Sequence, residues 1–182
     1  MGFVRSELII STYNSPVALK LCLASVAKQD TLPDGVCIAD DGSGPDTGDV
    51  IDAFAALHAG LPTRRVWQED EGFRKAEILN TAIASSKADF LILIDGDVLI
   101  HPCFIARHLQ LARPKRFSTG SLIRLDAEAT AEVSPELVVS GEVFGRDWLR
   151  AHRAIDRFGT WLKTMPLPRP VMGLLDVVTP VQ

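Results

Sequence analysis

From Leu8 to Ile94, short apolar runs alternate with stretches whose apolar residues recur every three or four positions, and this rhythm predicts the architecture. Leu8-Ile9-Ile10 reads as a first strand leading into Ser11-Thr12-Tyr13-Asn14. Ser15-Pro16 then opens a helix with Leu19, Cys22, Leu23 and Val26 on one side, Pro being suited to a first helical position. Gly35 to Ala39 is a second strand ended by Asp40-Asp41-Gly42-Ser43, and Pro45 to His58 a second helix carrying Val50, Ile51, Phe54 and Leu57. Arg65-Val66-Trp67 is a short third strand, Lys75 to Ser86 a third helix, and Phe90 to Ile94 a fourth strand. A helix from Phe104 to Ala112 follows. Strand alternating with helix at this spacing implies a mostly parallel α/β sheet with helices on both faces. Ligands of such sheets bind beyond the carboxyl ends of the strands, which gathers the Thr12-Tyr13-Asn14 loop, Asp40-Asp41 and Asp95/Asp97 on one rim.

Candidate chemistry concentrates where the fourth strand ends, in Asp95-Gly96-Asp97. In an extended segment residues i and i+2 point to the same side, and the intervening glycine lets a ligand approach the backbone. Two hard oxygen donors on one side suit Mg2+ or Mn2+, ions held by one or two carboxylates together with substrate phosphates. The alternative is an Asp-Gly turn joining two strands of a hairpin.

Composition narrows the function classes. The chain has 182 residues, 47% hydrophobic and 23% charged, enough for one domain with a substantial core. A formal charge of -4 supplies no field for nucleic acid, so none is expected as a partner. Cys22, Cys37 and Cys103 are odd in number and lack Cys-x-x-Cys spacing, as in a cytoplasmic protein with reduced thiols. Neither a basic-then-apolar leader nor a bilayer-length apolar stretch occurs. Asp147 to Leu162 reads as an amphipathic helix with Trp148, Ala151, Ile155, Phe158 and Leu162 on one side and Arg146, Arg150, Arg153 and Arg157 as a basic flank. Its arginines are either solvated or a peripheral contact, through 146–162, with the inner membrane face. His101 lies near Asp97 but beside Pro102, where a structural turn role competes with metal ligation; His108 on the Phe104 to Ala112 helix faces either sheet or solvent, and His58 and His152 have no motif around them. No Ser/His/Asp or Cys/His arrangement and no phosphate-binding Gly-x-x-x-x-Gly-Lys stands out.

Four blocks, in order and spacing, resemble the nucleotide-sugar-binding half of a family 2 glycosyltransferase with the GT-A fold. They are Ile9-Ile10-Ser11-Thr12-Tyr13-Asn14, Ala39-Asp40-Asp41-Gly42-Ser43, Gly72-Phe73-Arg74-Lys75-Ala76 with Asn80, and Leu93-Ile94-Asp95-Gly96-Asp97. The likeness spans about Glu7 to Arg124, and its Gly-Phe-Arg-Lys form is similar to bacterial galactosyltransferases and chondroitin-type polymerases. It divides the chain into a nucleotide-sugar-binding half, 1–124, and a partial acceptor-side extension, 125–182. Leu79 departs from the pattern, since many relatives carry Arg beside the Asn, and this leaves Arg74 and Lys75 as the candidates for the diphosphate.

The resemblance implies metal-dependent, inverting transfer from a UDP-sugar to a saccharide or lipid-linked saccharide in polysaccharide or envelope synthesis. It further implies a nucleotide-sugar site of Ser11, Thr12, Tyr13, Asn14, Asp41, Arg74, Lys75, Asp95 and Gly96, with Asp41 accepting from the uracil N–H, Asp95 on ribose or metal and Asp97 on the metal. An acceptor carboxylate discriminates against bases without that donor. Other readings stand beside these roles: packing for Tyr13, solvated charge for Arg74 and Lys75, a helix cap for Asn14 and a loop-supporting turn for Asp40.

An inverting transfer needs a carboxylate to take the acceptor's proton. In the resembling family it follows an Asn-Met-Ser-Phe-like stretch near a Trp-Gly-x-Glu-Asp-like motif, and neither occurs here. The chain passes Val171-Met172-Gly173 and continues to Gln182, leaving Glu142, Asp147 and Asp176 as substitutes without a motif. The expectation is a chain that binds donor better than it turns it over. A catalytically incomplete nucleotide-sugar-binding partner is the non-enzymatic alternative. A sugar-1-phosphate nucleotidyltransferase would also use such a sheet and a metal, but Ser11 to Pro16 lacks its Gly-rich phosphate loop.

Overall fold

The alternation is realised as a four-stranded, wholly parallel sheet in the computed structural model, which describes residues 5–156. Strands β1 (Ser6–Thr12), β2 (Gly35–Asp40), β3 (Thr63–Trp67) and β4 (Phe90–Asp95) lie in the order β3-β2-β1-β4. Helices α1 (Pro16–Ala27), α2 (Pro45–Leu57) and α3 (Lys75–Ala84) connect them. Both α1 and α2 start on the prolines that marked them, after Ser15 and Gly44.

The side-chain period of two divides each strand between two cores. Leu8 and Ile10 of β1, Val36 and Ile38 of β2 and Ile92 of β4 pack with Leu19, Cys22, Leu23 and Val26 of α1 and Ile51 and Phe54 of α2. On the opposite face, Ile9, Cys37 and Ala39 pack against Ile78 and Ala82 of α3. Leu79, partly buried, packs against this second core, so the position that departs from the family pattern serves packing here. Each fully buried Leu or Ile contributes roughly 1.5–3 kcal/mol, which fixes the sheet more firmly than helix propensity could. Burial pushes the Cys22 thiol up to about 12 and Cys37 up to about 11, and all three cysteines are free thiols.

Beyond β4, α4 (Phe104–Leu111) returns to the first core through Ile105. Short helices α5 (Ala127–Glu132) and α6 (Pro135–Ser140) follow, with the Asp126 and Ser134 side chains accepting from the amides of Ala129 and Leu137 as caps. A single 3-10 turn, Glu142–Phe144, precedes α7 (Arg146–Ala151), and α6 packs against α1.

Three expectations are corrected. The helix read from Asp147 to Leu162 stops at Ala151, because the Ala154 amide donates to Leu149 O and the Arg153 amide to Arg150 O around Arg153 at φ 53. That closure turns the chain out of the helix in the left-handed conformation usual for glycine. Phe158, Leu162, Arg157 and Asp176 lie outside the described residues. Asp95 to Val98 is a turn, closed by the Val98 amide on Asp95 O, rather than an extended segment; yet it is no hairpin, since a helix and not an antiparallel strand follows. Asn14 does not cap α1, the helix that follows it: Ser15 holds that position without a side-chain bond, while Asn14 Oδ1 accepts from the amide of Gly44, the cap residue of α2.

Candidate functional site

Strand order reverses at β1, which has β2 on one side and β4 on the other. The crossovers therefore diverge and leave a crevice at the carboxyl ends of β1 and β4. A cleft of about 330 Å3 occupies it, lined by Ser11, Thr12, Tyr13, Ser15, Ala39, Asp41, Phe73, Lys75, Ile78, Asp95, Gly96 and Asp97. Of the predicted site residues, Ser11, Thr12, Tyr13, Asp41, Lys75, Asp95, Gly96 and Asp97 are brought together there; Asn14 and Arg74 are not among the lining residues. A larger cavity of about 800 Å3 runs along the β4 edge between Phe104, His108 and residues 112–120, and Asp41, Asp95 and Asp97 do not line it.

Ladder register places the first charges. Ser11 lies opposite Asp95, and its Oγ donates to Asp95 Oδ1 at 2.8 Å. The same oxygen accepts from Lys75 Nζ at 2.5 Å. Burial pushes the Asp95 carboxyl upward, but the hydrogen bonds from Lys75 and Ser11 outweigh it and hold Asp95 below its ordinary value. Gly96 donates its amide to Ser11 O at 2.8 Å. A Cβ there would meet that oxygen at 3.0 Å and Thr12 Cβ and Oγ1 at 3.3 Å, so the close approach of the turn to β1 leaves little room for a side chain. Thr12 is 7% exposed, and among the described residues its Oγ1 has no hydrogen-bond partner. A buried hydroxyl left unpaired beside a cleft is what a ligand's polar atom would complete.

The second set of charges is held from behind. Asp40 is fully buried; its Oδ2 accepts from Arg65 Nε at 2.8 Å and Nη2 at 2.6 Å, while Oδ1 accepts from the Ser43 amide at 2.9 Å. Asp40 therefore supports the loop, as its turn reading held. Ser43 Oγ accepts from the Asn14 amide, and Ser43 O accepts from Trp67 Nε1, which fastens the two loops together. Asp41, 4% exposed, turns into the cleft with Oδ1 accepting from Gln68 Nε2 at 2.5 Å and Oδ2 from the Arg74 amide at 2.9 Å. Gly42, at φ 92, packs so closely on Asp70 that a Cβ would lie 2.6 Å from Asp70 Cα. Tyr13, half exposed, donates its hydroxyl to Asp70 Oδ2 at 3.0 Å.

Other candidates are placed elsewhere. The Arg74 guanidinium pairs with Glu71 at 3.0 Å and Glu77 at 3.5 Å and donates to Glu69 O. His101 contacts Cys103 Sγ and the Phe144 ring and does not line the cleft. Glu142 and Asp147 are exposed and also lie outside the lining. Sequence reasoning missed Gln68, Asp70 and the role of Phe73, which lines the cleft although 90% exposed. Only the exposed aromatic inside an otherwise charged motif could have flagged one of them.

The donor set fits a hard divalent cation: two carboxylates on one turn and no nitrogen or sulfur ligand among the lining residues. Among the described residues no group of three or more His, Cys, Asp or Glu is gathered for a metal, so a cation here would take its remaining ligands from bound phosphate and water. Among the described residues no helix is long and apolar enough to cross a membrane.

The model of the glycosyl transferase family 2 matches residues 7–159. Chondroitin synthase of Escherichia coli is 24% identical over 167 residues, covering 80% of this chain and 24% of that protein. Hyaluronan synthase of Pasteurella multocida is 32% identical over 103 residues, 56% of this chain and 10% of its own length. The chain thus spans about a quarter or less of these relatives. Among solved structures, a mannosyltransferase of Pyrobaculum calidifontis in complex with GDP-Man and Mn2+ matches with a TM-score of 0.58 and 26% identity over 66% of this chain and 36% of its own. S. aureus TarS with UDP-GlcNAc matches at a TM-score of 0.52 and 23% identity over 58% of this chain and 30% of its own, a likeness of fold.

Proposed function

The chain belongs to glycosyl transferase family 2 and has the GT-A fold, and from that premise we propose that its cleft binds a uridine diphosphate sugar with Mg2+ or Mn2+. The observation that carries the reading is the convergence of Thr12, Asp41, Lys75, Asp95 and Asp97 at the strand-order reversal. Asp41 would accept from the uracil ring N–H. This separates uracil from cytosine, which offers an acceptor at that position. Guanine also carries N–H donors on its corresponding edge, so Asp41 alone does not exclude it.

Thr12 Oγ1 would complete its hydrogen bonding on the nucleoside, and Lys75 would move from Asp95 toward the diphosphate. Asp97 and Asp95 would hold the cation, which supplies charge neutralisation as the nucleoside diphosphate leaves. The reaction assigned to this arrangement is inverting transfer of the sugar to a saccharide or lipid-linked saccharide hydroxyl, with 1–124 as the donor half and 125–182 as the acceptor-side extension. The proton-accepting carboxylate is not assigned, because Glu142 and Asp147 lie outside the cleft lining. Membrane contact through 146–162 is not assigned, since α7 ends at Ala151 and 157–162 lie outside the described residues.

The test is calorimetry with UDP, CDP and GDP, with and without Mn2+, beside an assay for nucleoside diphosphate released from UDP-sugars with saccharide acceptors. Manganese-enhanced UDP binding that exceeds CDP binding, and falls by about 1–3 kcal/mol in Asp41→Ala, is expected. Equal binding of UDP and CDP would refute the base assignment.

A further inference from the structure

Asp41 is a buried carboxylate, and among the described residues no cation pairs with it. Its two oxygens are held only by neutral donors, Gln68 Nε2 at 2.5 Å and the Arg74 amide at 2.9 Å. Gln68 does more than meet one oxygen. Its Nε2 also donates to Arg74 O at 3.3 Å, and its own amide donates to Asp40 O at 3.3 Å. One side-chain amide therefore spends both hydrogens joining the end of β2 to the start of α3, with Asp41 between them. The assignment of nitrogen and oxygen is dictated by the neighbours, because the flipped amide would face two acceptors with a third.

We infer that Gln68 is the positioning residue for base selection: it fixes the rotation of the Asp41 carboxylate so that a free lone pair of each oxygen is presented to a base N–H. A carboxylate that could rotate would still attract a donor, but it would lose the angular preference that makes a hydrogen bond discriminating. Oδ1 owes its orientation to Gln68 and Oδ2 to the Arg74 amide, whose place is in turn held by Gln68 through Arg74 O. Gln68 itself is not among the residues lining the cleft, so any effect it has on the ligand passes through Asp41. The inference rests on the proposal that Asp41 meets the base, but it does not depend on which base is preferred.

Gln68→Glu is the informative variant because it keeps shape while exchanging the neutral donor for a carboxylate that only accepts when ionised. At pH about 8 two carboxylates in contact repel, and Asp41 must turn away; as the pH falls toward about 5.5, the pair retains one proton and a donating O–H is restored. Gln68→Met removes the donor at every pH. The full chain is titrated calorimetrically with UDP, CDP and GDP at both pH values, alongside urea denaturation. The expected result is that both variants lose about tenfold or more of the wild-type preference between UDP and CDP at pH 8. Gln68→Glu alone should regain, at the lower pH, the preference that wild type shows at that same pH.

Equal weakening of all three nucleotides in either folded variant, or unchanged preference in both, would overturn the role given to Gln68, as would acid recovery in Gln68→Met. If wild type prefers GDP over CDP and UDP, the uridine assignment fails while the Gln68 inference is judged on that preference instead. If wild type distinguishes no bases, both fall.

Discussion

Replacing Lys75 with Met separates a binding role from a structural one, because the two predict different magnitudes. The Lys75–Asp95 pair is close, at 2.5 Å, but its side chains are 36% and 56% exposed. Water screens such a pair, and its contribution to folding is about 0–1 kcal/mol. Urea denaturation of Lys75→Met should therefore move by no more than about 1 kcal/mol. A phosphate contact is a different quantity: a hydrogen bond to a charged group contributes about 1.5–3 kcal/mol, so UDP should bind roughly 10- to 150-fold more weakly. Uridine, which has no phosphate, should bind as it does to wild type. Mn2+ without nucleotide should move the other way, since the substitution frees Asp95 Oδ1 from an ammonium and removes a like charge from the cation's neighbourhood. Calorimetry with uridine, UDP and Mn2+ reads all three. Equal losses for uridine and UDP, or a stability loss larger than the affinity loss, would refute the phosphate role and return Lys75 to a packing or solvated part.

Asp97→Ala should abolish the manganese dependence of UDP binding while the circular dichroism spectrum and urea midpoint stay near wild type; retained metal dependence in the folded variant would count against the turn as the cation site. Arg65→Met leaves Asp40 fully buried without its partner, so urea denaturation should show a loss of about 3–5 kcal/mol. A change below about 1 kcal/mol would mean that Asp40 finds other partners or water. The hydrogen bonds from Arg64 to Glu7, opposed by burial, hold the Glu7 carboxyl below its ordinary value of 4.5. A depressed carboxyl stabilises the fold fully above that unfolded value and less as pH falls through the folded one, so acid titration of stability should flatten below pH 4.5 in Glu7→Gln.

Elements with strong local signals were legible. Pro16 and Pro45 marked helix starts, and apolar runs marked the strands; in β1 and β2 burial on both faces leaves no polar alternation to confuse them. The overrun of α3 to Ser86 has a local cause: Ser85 Oγ turns back on Ala82 O and the Ser86 amide closes on Ile83 O, ending the helix at Ala84. The overrun of α7 had no signal, since apolar spacing continues through Ile155 and nothing in an arginine announces a left-handed turn. Ser134-Pro135 repeats the Ser15-Pro16 start signal and could have revealed α6. At the site, the residues of the charged motifs were readable because they end strands. Gln68 was not, because a polar residue in a loop carries no periodicity and its partner Asp41 lies 27 positions away.

The register of β1 is the link between core and chemistry. Ser11 faces Asp95 on one neighbour while Thr12 faces Asp40 on the other, so the last two rungs of a single strand set both halves of the cleft. A slip of one residue would separate Ser11 from Asp95 and at the same time exchange Ile9 and Ile10 between the two cores. Side chains on both faces of β1 are completely buried, so that exchange would have to repack both layers at once. The geometry that holds Asp95 beside Lys75 is thus enforced by apolar residues that touch no ligand. Loop contacts add a second constraint, since the Asp41 amide donates to Thr12 O and the Gly96 amide to Ser11 O at the same strand end. Conservative changes in these cores, such as Ile10→Val, should therefore lower stability without altering base preference, whereas changes at Ser11 or Gly96 alter the cleft directly.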